Sequence, residues 1–99
     1  MRNPTAEASE GIEELMQVIA ALDDPQECRA FFEDLCTVQE LMLFSQRLQV
    51  AKHLLAGETY ESIRQKIPVS SATITRVNTA LQFGTGGYRA VLSDRNGRD

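Results

Sequence analysis

Residues 60–81 read YESIRQKIPVSSATITRVNTAL, with apolar side chains at helical spacing on both sides of a proline. This spacing indicates two short helices joined by a tight turn. Thr59 can cap the first helix, and Ser70 or Ser71 can cap the second. The positions at which a helix-turn-helix requires apolar residues are filled by Ile63, Ile67, Val69, Ile74 and Val77. A helical hairpin with a solvated polar face has the same pattern, so the apolar residues alone leave both interpretations open.

Short polar side chains on the second of these helices form a candidate DNA-reading face. Short hydroxyl and methyl groups let a helix approach base edges closely, and an arginine can contact phosphate or guanine. The candidates are Ser70, Ser71, Ala72, Thr75, Arg76 and Thr79. On the first helix, Arg64 and Lys66 are placed to meet the DNA backbone, which supplies affinity rather than specificity. Tyr60 and Glu61 complete the candidate DNA-binding set.

Two residues depart from the usual helix-turn-helix pattern. Arg64 stands where a small residue usually lets the two helices cross, so we expect its side chain to run outward. Pro68 stands where the turn usually has glycine at positive φ, a conformation that proline does not adopt. Proline also restricts Ile67 to extended backbone, which ends the first helix sharply. We therefore expect a turn of different geometry.

Helical periodicity continues on the N-terminal side, and no strand alternation is present. We expect a loose tail over residues 1–8 and a first helix capped by Ser9. A second helix should have Asp24 as its N-cap and Pro25 at its first position, and should end at about Leu35. The residues that this helix is expected to bury are Cys28, Phe31, Phe32 and Leu35.

A third and longer helix is apolar on most of its sides. Thr37 and Glu40 have the spacing of a capping box, and Gly57 can take the left-handed conformation that ends the helix after about Ala56. Its apolar residues are Leu41, Met42, Leu43, Phe44, Leu48, Val50, Ala51, Leu54 and Leu55. One partner helix from so short a chain does not cover this surface, so we expect a second subunit to cover it.

The chain has 99 residues, enough for one domain. We expect that domain over residues 9–94, with a last helix at about Tyr88–Leu92 and a tail over 95–99. A hydrophobic fraction of 42% and a charged fraction of 24% are typical of a globular protein. Neither a long apolar run nor a signal peptide is present, so we expect a cytoplasmic protein without membrane contact.

The net charge of −4 is distributed unevenly along the chain. Residues 1–46 carry ten acids and two bases, whereas residues 47–99 carry eight bases and four acids. A DNA-binding surface needs local positive potential rather than a basic total. Solvated helix faces would explain the asymmetry as well, so the charge pattern alone is weak support for DNA binding.

The sequence offers no arrangement typical of catalysis or metal binding. Cys28 and Cys36 fit small buried residues in a reducing compartment. His53 has no cysteine or histidine at ligand spacing, and no histidine lies near Ser70 in the sequence. The glycines within residues 84–87 follow a helix and lack the lysine of a phosphate-binding loop. We expect a protein that is not an enzyme and uses neither cofactor nor metal.

The segment Ala72-Thr73-Ile74-Thr75-Arg76 resembles the start of the recognition helix of Trp repressors. Over about residues 23–91 the chain resembles still more closely the YerC/YecD group of Trp-repressor-like proteins. The other residues that carry this resemblance are Phe31-Phe32-Glu33-Asp34-Leu35-Cys36-Thr37-Val38, Gln46-Arg47-Leu48, Val50-Ala51, Gly57, Thr59-Tyr60, Ile63, Ser70, Val77, Leu81, Gly84 and Gly87-Tyr88.

The resemblance implies an all-α subunit of six helices, intertwined with a second copy into a homodimer. It also implies a transcriptional regulator, most simply a repressor, that binds double-stranded DNA. A two-fold dimer would present two recognition helices to successive major grooves. Its operator would then be a near-palindrome with half-sites about one helical turn apart.

The resemblance also points to a possible ligand pocket, because Trp repressors hold the indole of tryptophan between two arginines. Arg47 and Arg76 match these arginines, and Thr37 matches a threonine beside the site. A glycine follows the second arginine in Trp repressors, whereas Val77 stands here, and Ala80 replaces a nearby serine. A valine side chain should occupy much of the indole slot, so we expect that tryptophan is not the co-repressor. The two arginines would then have structural roles or bind another small anion.

The competing interpretation is a non-catalytic protein-interaction module built on the same helical dimer. The acidic N-terminal half and the proline turn are compatible with both functions. The two differ in their response to salt, because DNA binding weakens steeply as counterions compete for phosphates.

Overall fold

The computed structural model describes residues 5–95, which form six α-helices and no strand. The helices are α1 (Ala6–Ala21), α2 (Pro25–Leu35), α3 (Val38–Leu55), α4 (Tyr60–Lys66), α5 (Ser71–Phe83) and α6 (Gly87–Arg95). The chain divides into two compact units, Met1–Val38 and Gln39–Asp99. The predicted all-α class and the number of helices are confirmed. None of the described helices is long and apolar enough to cross a membrane.

Side-chain caps start two of the helices, α2 and α4, at the predicted residues. Asp24 Oδ1 accepts hydrogen bonds from the backbone N–H groups of Gln26 and Glu27, at 2.9 and 3.0 Å. Thr59 Oγ1 accepts one from Ser62 N at 3.1 Å, which starts α4. Such caps satisfy N–H groups that have no partner within the helix, so local chemistry fixes where α2 and α4 begin.

The first helix begins earlier than the sequence indicated. Thr5, not Ser9, is its N-cap, with Oγ1 accepting from Ala8 N at 3.2 Å. Threonine offers the same capping oxygen as serine, and the following residues 6–8 favour helix, so the earlier cap extends α1. Residues 6–8 are therefore helical rather than part of a tail, and residues 1–4 lie outside the described range.

The last helix is also longer than predicted at both ends. It begins at Gly87 and ends at Arg95, whereas the expected span was Tyr88–Leu92. Arg95 therefore belongs to the helix rather than to the predicted tail. Residues 96–99 lie outside the described range, and the rest of that prediction is untested.

Four helices supply the buried core of the second unit. Its members are Val50, Ala51, Ile63, Ile74, Val77, Leu81 and Leu92. Partly buried side chains complete it, namely Leu54, Leu55, Ile67, Val69 and Tyr88. Every one of the helices α3, α4, α5 and α6 contributes at least one buried side chain, so this core holds the helical pair α4–α5 in place.

None of the described residues of the first unit, 5–38, is buried within one chain. Neither α1 nor α2 contains a buried side chain. The expected burial of α2 is only partly correct: Cys28, Phe31 and Phe32 are half-buried, whereas Leu35 is 49% exposed. The sequence pattern marks which faces are apolar, but one chain supplies too little material to cover them.

Candidate nucleic-acid interface

The helices α4 and α5 form the predicted helix-turn-helix. Ile63 on α4 and Ile74 and Val77 on α5 are fully buried, and Ile67 and Val69 of the connecting turn pack against the same core. All the apolar positions singled out in the sequence therefore lie where the motif requires them. The polar face of α5 is consequently turned away from the core.

The turn between these helices is built around Pro68. Ile67 follows α4 in extended conformation, at φ −130° and ψ 134°. Val69 donates its N–H to the carbonyl oxygen of Ile67 at 2.8 Å, a three-residue inverse γ-turn with proline at its centre. No described residue other than glycine has positive φ. The expectation of an altered turn is confirmed, since proline supplies a tight turn without a left-handed residue.

Ser70 caps the second helix of the motif. Its Oγ accepts from Thr73 N at 3.1 Å and lies 3.2 Å from Thr73 Oγ1. The hydroxyl of Ser70 is therefore engaged in starting α5, although the residue is exposed at the same end of the helix as the DNA-binding candidates.

The candidate reading face of α5 is open to solvent. Its exposed residues are Ser71, Ala72, Thr75, Arg76 and Thr79. They alternate with the buried side chains of the same helix at helical spacing, so one side of α5 packs and the other is free for a partner.

The candidates on α4 adjoin this face. Tyr60, Glu61 and Arg64 share with Ser71 the lining of a shallow surface depression of about 760 Å³. Arg64 is exposed, which confirms that its side chain runs outward. The structure therefore brings these three candidates of α4 next to Ser71 at the start of α5, with Pro68 in the same lining, whereas Arg76 and Thr79 line a different cleft.

Lys66, like Ser70, has its side chain engaged within the chain. Its Nζ donates to Glu58 Oε1 at 2.9 Å. Glu58 also accepts from Ser62 Oγ at 3.0 Å, and its Oε2 lies 2.8 Å from His53 Nδ1. The hydrogen bonds from His53 and then Lys66 lower the pKa of Glu58 from 4.5 to about 2, against a smaller opposing effect of burial.

Sequence reasoning missed Glu58, although a signal was available. Glu58, Ser62 and Lys66 are spaced four residues apart, the spacing at which side chains share a helix face. Glu58 precedes the helix, so helical periodicity alone does not assign it to that face.

A second cleft in the same unit contains most of the possible ligand pocket. It has a volume of about 540 Å³ and is lined by Arg47, Arg76, Val77, Thr79, Ala80, Phe83, Gly84 and Tyr88. Arg47 Nε is buried and has no hydrogen-bond partner among the described residues. Thr37 belongs to the first unit, so its place in the pocket stays a prediction.

The described residues contain no group of three or more His, Cys, Asp or Glu side chains that could hold a metal ion. The cluster around Glu58 has one carboxylate, one histidine and one lysine, and the lysine ammonium pairs with the carboxylate.

The chain matches the sequence model of the Trp repressor protein family over residues 10–96. It is 41% identical over 81 residues to the uncharacterized protein YerC of Bacillus subtilis strain 168, covering 82% of this chain and 78% of YerC. The crystal structure of a TrpR-like protein from Eubacterium eligens superposes with a TM-score of 0.85 at 41% identity, covering 91% of this chain and 93% of that one. A candidate Trp repressor from Staphylococcus aureus gives a TM-score of 0.83 at 40% identity, covering 98% of both chains.

Proposed function

Since the chain belongs to the Trp repressor protein family, we propose that it is a sequence-specific DNA-binding transcriptional regulator that represses its target genes. One observation carries this proposal. The face of α5 formed by Ser71, Ala72, Thr75, Arg76 and Thr79 is exposed on a helix whose opposite side is fully buried. A rigid helix with short side chains on its free face fits the major groove. A regulator of this kind would act in the cytoplasm, where it would bind the DNA.

The helix α4 supplies the adjoining part of the proposed interface. Arg64 would bind a backbone phosphate, and Tyr60 and Glu61 would lie beside the DNA. The exposed Arg76 on α5 would contact phosphate or guanine. Arg64 and Arg76 are both exposed, and at the proposed interface they would provide the local positive potential that the net charge of −4 conceals.

The protein would act as a homodimer. Exposed apolar side chains are abundant in one chain, and they include Ile12, Met16, Leu35, Val38, Met42, Phe44 and Leu48. Exposed apolar surface of this extent is typical of an interaction site, and a second copy would bury it around a shared core. The dimer would then present two copies of α5 to a near-palindromic operator.

Tryptophan would not serve as the co-repressor. Val77 is 1% exposed and lines the same cleft as Arg47 and Arg76. Its branched side chain therefore takes up space that a glycine would leave open for an indole ring. Titration calorimetry should show no tryptophan binding, and stoichiometric binding at micromolar affinity would contradict this part of the proposal.

Binding to a fluorescently labelled duplex of mixed sequence, measured at increasing salt, tests the DNA-binding proposal. The logarithm of the binding constant should fall linearly with the logarithm of salt, by about 0.9 per phosphate neutralised. Arg64→Ala should reduce the slope by about one contact. Absence of duplex binding at low salt would favour the alternative function, in which the acidic first unit holds a protein partner.

A further inference from the structure

A single carboxylate joins the end of α3 to α4. Glu58 Oε2 lies 2.8 Å from Nδ1 of His53, in the last turn of α3. Glu58 Oε1 accepts from Ser62 Oγ and from Lys66 Nζ, both on α4. Glu58 also donates its backbone N–H to the carbonyl oxygen of His53 at 3.1 Å, beside Gly57 at φ 87°. The side chain is 24% exposed, so these contacts are partly shielded from water.

We propose that Glu58 is a positioning residue for DNA binding, which fixes α4 against the end of α3 and holds Lys66 away from DNA phosphates. This inference rests on the DNA-binding function proposed above.

The contacts are placed where they control the orientation of α4. This helix has seven residues, and Ser62 and Lys66 lie one helical turn apart on it. Two bonds to one carboxylate therefore resist rotation of α4 about its axis. Because Ile63 of α4 packs in the same core as Ile74 of α5, a rotation of α4 would also displace the reading face.

The two cationic residues of α4, Lys66 and Arg64, have different environments. The ammonium of Lys66 donates to Glu58 across eight residues of chain, whereas Arg64 is exposed in the depression shared with Ser71. An ammonium that neutralises a carboxylate releases no counterion from DNA unless that pair first separates. Lys66 therefore contributes to the shape of the interface rather than to its phosphate contacts.

The direction in which DNA affinity changes when Glu58 is removed distinguishes a positioning role from a simple charge effect. Deleting an acid beside DNA removes repulsion and should strengthen non-specific binding. Loss of positioning should instead weaken DNA binding. The matched control is Glu61, which lies on α4 outside the cluster and also carries a negative charge.

The first experiment compares duplex affinity for Glu58→Ala, Glu58→Gln and Glu61→Ala, at a temperature where circular dichroism shows each to be folded. Glu58→Ala should weaken binding by about fivefold to tenfold, whereas Glu61→Ala should strengthen it. Glu58→Gln also lacks the charge but keeps an oxygen that accepts from Ser62 and Lys66, so it should bind at least as well as wild type. Tighter binding by Glu58→Ala, equal to that of Glu61→Ala, would overturn the inference.

The second experiment measures salt slopes and does not require Glu58→Ala to fold. Lys66→Met should weaken binding while leaving the slope unchanged, whereas Arg64→Ala should lower the slope by about one contact. An equal drop in slope for Lys66→Met would show a phosphate contact and overturn the inference. If wild type binds no duplex, the proposed function fails. If wild type binds and only the Glu58 and Lys66 expectations fail, the positioning inference alone is wrong.

Discussion

Val69 donates its backbone N–H to the carbonyl oxygen of Ile67 at 2.8 Å, across Pro68. This bond sets the angle at which the chain leaves α4 and enters α5, because it confines the change of direction to three residues. The pyrrolidine ring restricts φ of the central residue to the range that such a turn needs. A proline therefore does here what a left-handed glycine does in the usual helix-turn-helix.

Replacing Pro68 with alanine should loosen this turn. Alanine tolerates the same backbone conformation but leaves the unfolded chain more freedom, so Pro68→Ala should destabilise the fold by about 0.4–1 kcal/mol. Urea unfolding followed by circular dichroism measures this change. An unchanged or higher stability would show that proline is strained at this position.

Ile74 and Thr75 are neighbours on α5 with opposite environments, and their alanine variants should behave differently. Ile74 is fully buried, so Ile74→Ala should cost about 2–5 kcal/mol through lost burial and a residual cavity. Thr75 is exposed, so Thr75→Ala should change stability by no more than about 0.5 kcal/mol.

Chemical denaturation of both variants gives the comparison directly. Thr75→Ala is the matched control, because it alters the same helix at an exposed position. Similar losses of stability in the two variants would contradict the orientation of α5 described here.

Glu58→Gln should make the free energy of unfolding fall less steeply with pH on the acid side of the stability curve, which is called the acid limb below. The pKa of Glu58 is lowered from 4.5 to about 2, first by the hydrogen bond with His53 and then by that from Lys66. A carboxylate whose pKa is lower in the folded state stabilises the protein above its unfolded pKa, and this stabilisation is lost as pH falls. The window for this group runs from pH 4.5 down to about 2.

Urea unfolding at a series of pH values tests this dependence. Wild type should lose stability across the window more steeply than Glu58→Gln, while the two curves run parallel at neutral pH. Glu61→Gln, on the adjoining helix α4, serves as the control. Identical acid limbs for wild type and Glu58→Gln would show that the contacts do not persist in solution.

A charge on the exposed apolar side of α3 should disrupt the proposed dimer. Met42 is 56% exposed in one chain, so Met42→Glu places a carboxylate on surface that a second copy would bury. Sedimentation equilibrium should show a dimer for wild type and weaker association for the variant. Gln49→Glu, at an exposed polar position of the same helix, should leave the association unchanged.

An equal effect of Met42→Glu and Gln49→Glu on association would point to a general charge effect rather than a buried interface. A monomeric wild type would contradict the dimer itself.

Features set by neighbouring residues were predictable from the sequence. Asp24 and Thr59 cap their helices through oxygens that reach only two or three residues along the chain, so their roles follow from spacing. The same holds for Gly57, whose positive φ ends α3. The buried set of the helix-turn-helix was also predictable, because helical periodicity assigns each side chain to one face.

Features that depend on folding were not predictable from the sequence alone. The contact between Glu58 and His53 requires the end of α3 to meet the start of α4 at a loop, and no pattern within either helix specifies that meeting. Leu35 and Met42 are apolar but exposed in one chain. Their apolar character does not predict this exposure, because burial depends on which other residues cover a side chain. The start of α1 was missed because two capping residues, Thr5 and Ser9, compete within one helical turn.

The most direct test of the DNA-binding proposal is selection of bound duplexes from a random-sequence pool at about 150 mM salt, followed by sequencing of the enriched DNA. We expect enrichment of a two-fold symmetric motif with half-sites about 10 base pairs apart, as a dimer presenting two copies of α5 requires. Thr75→Ala, which should fold normally, should lose preference at one position of each half-site. No enrichment, with a tryptophan-supplemented selection also blank, would contradict a sequence-specific regulator and favour a protein partner.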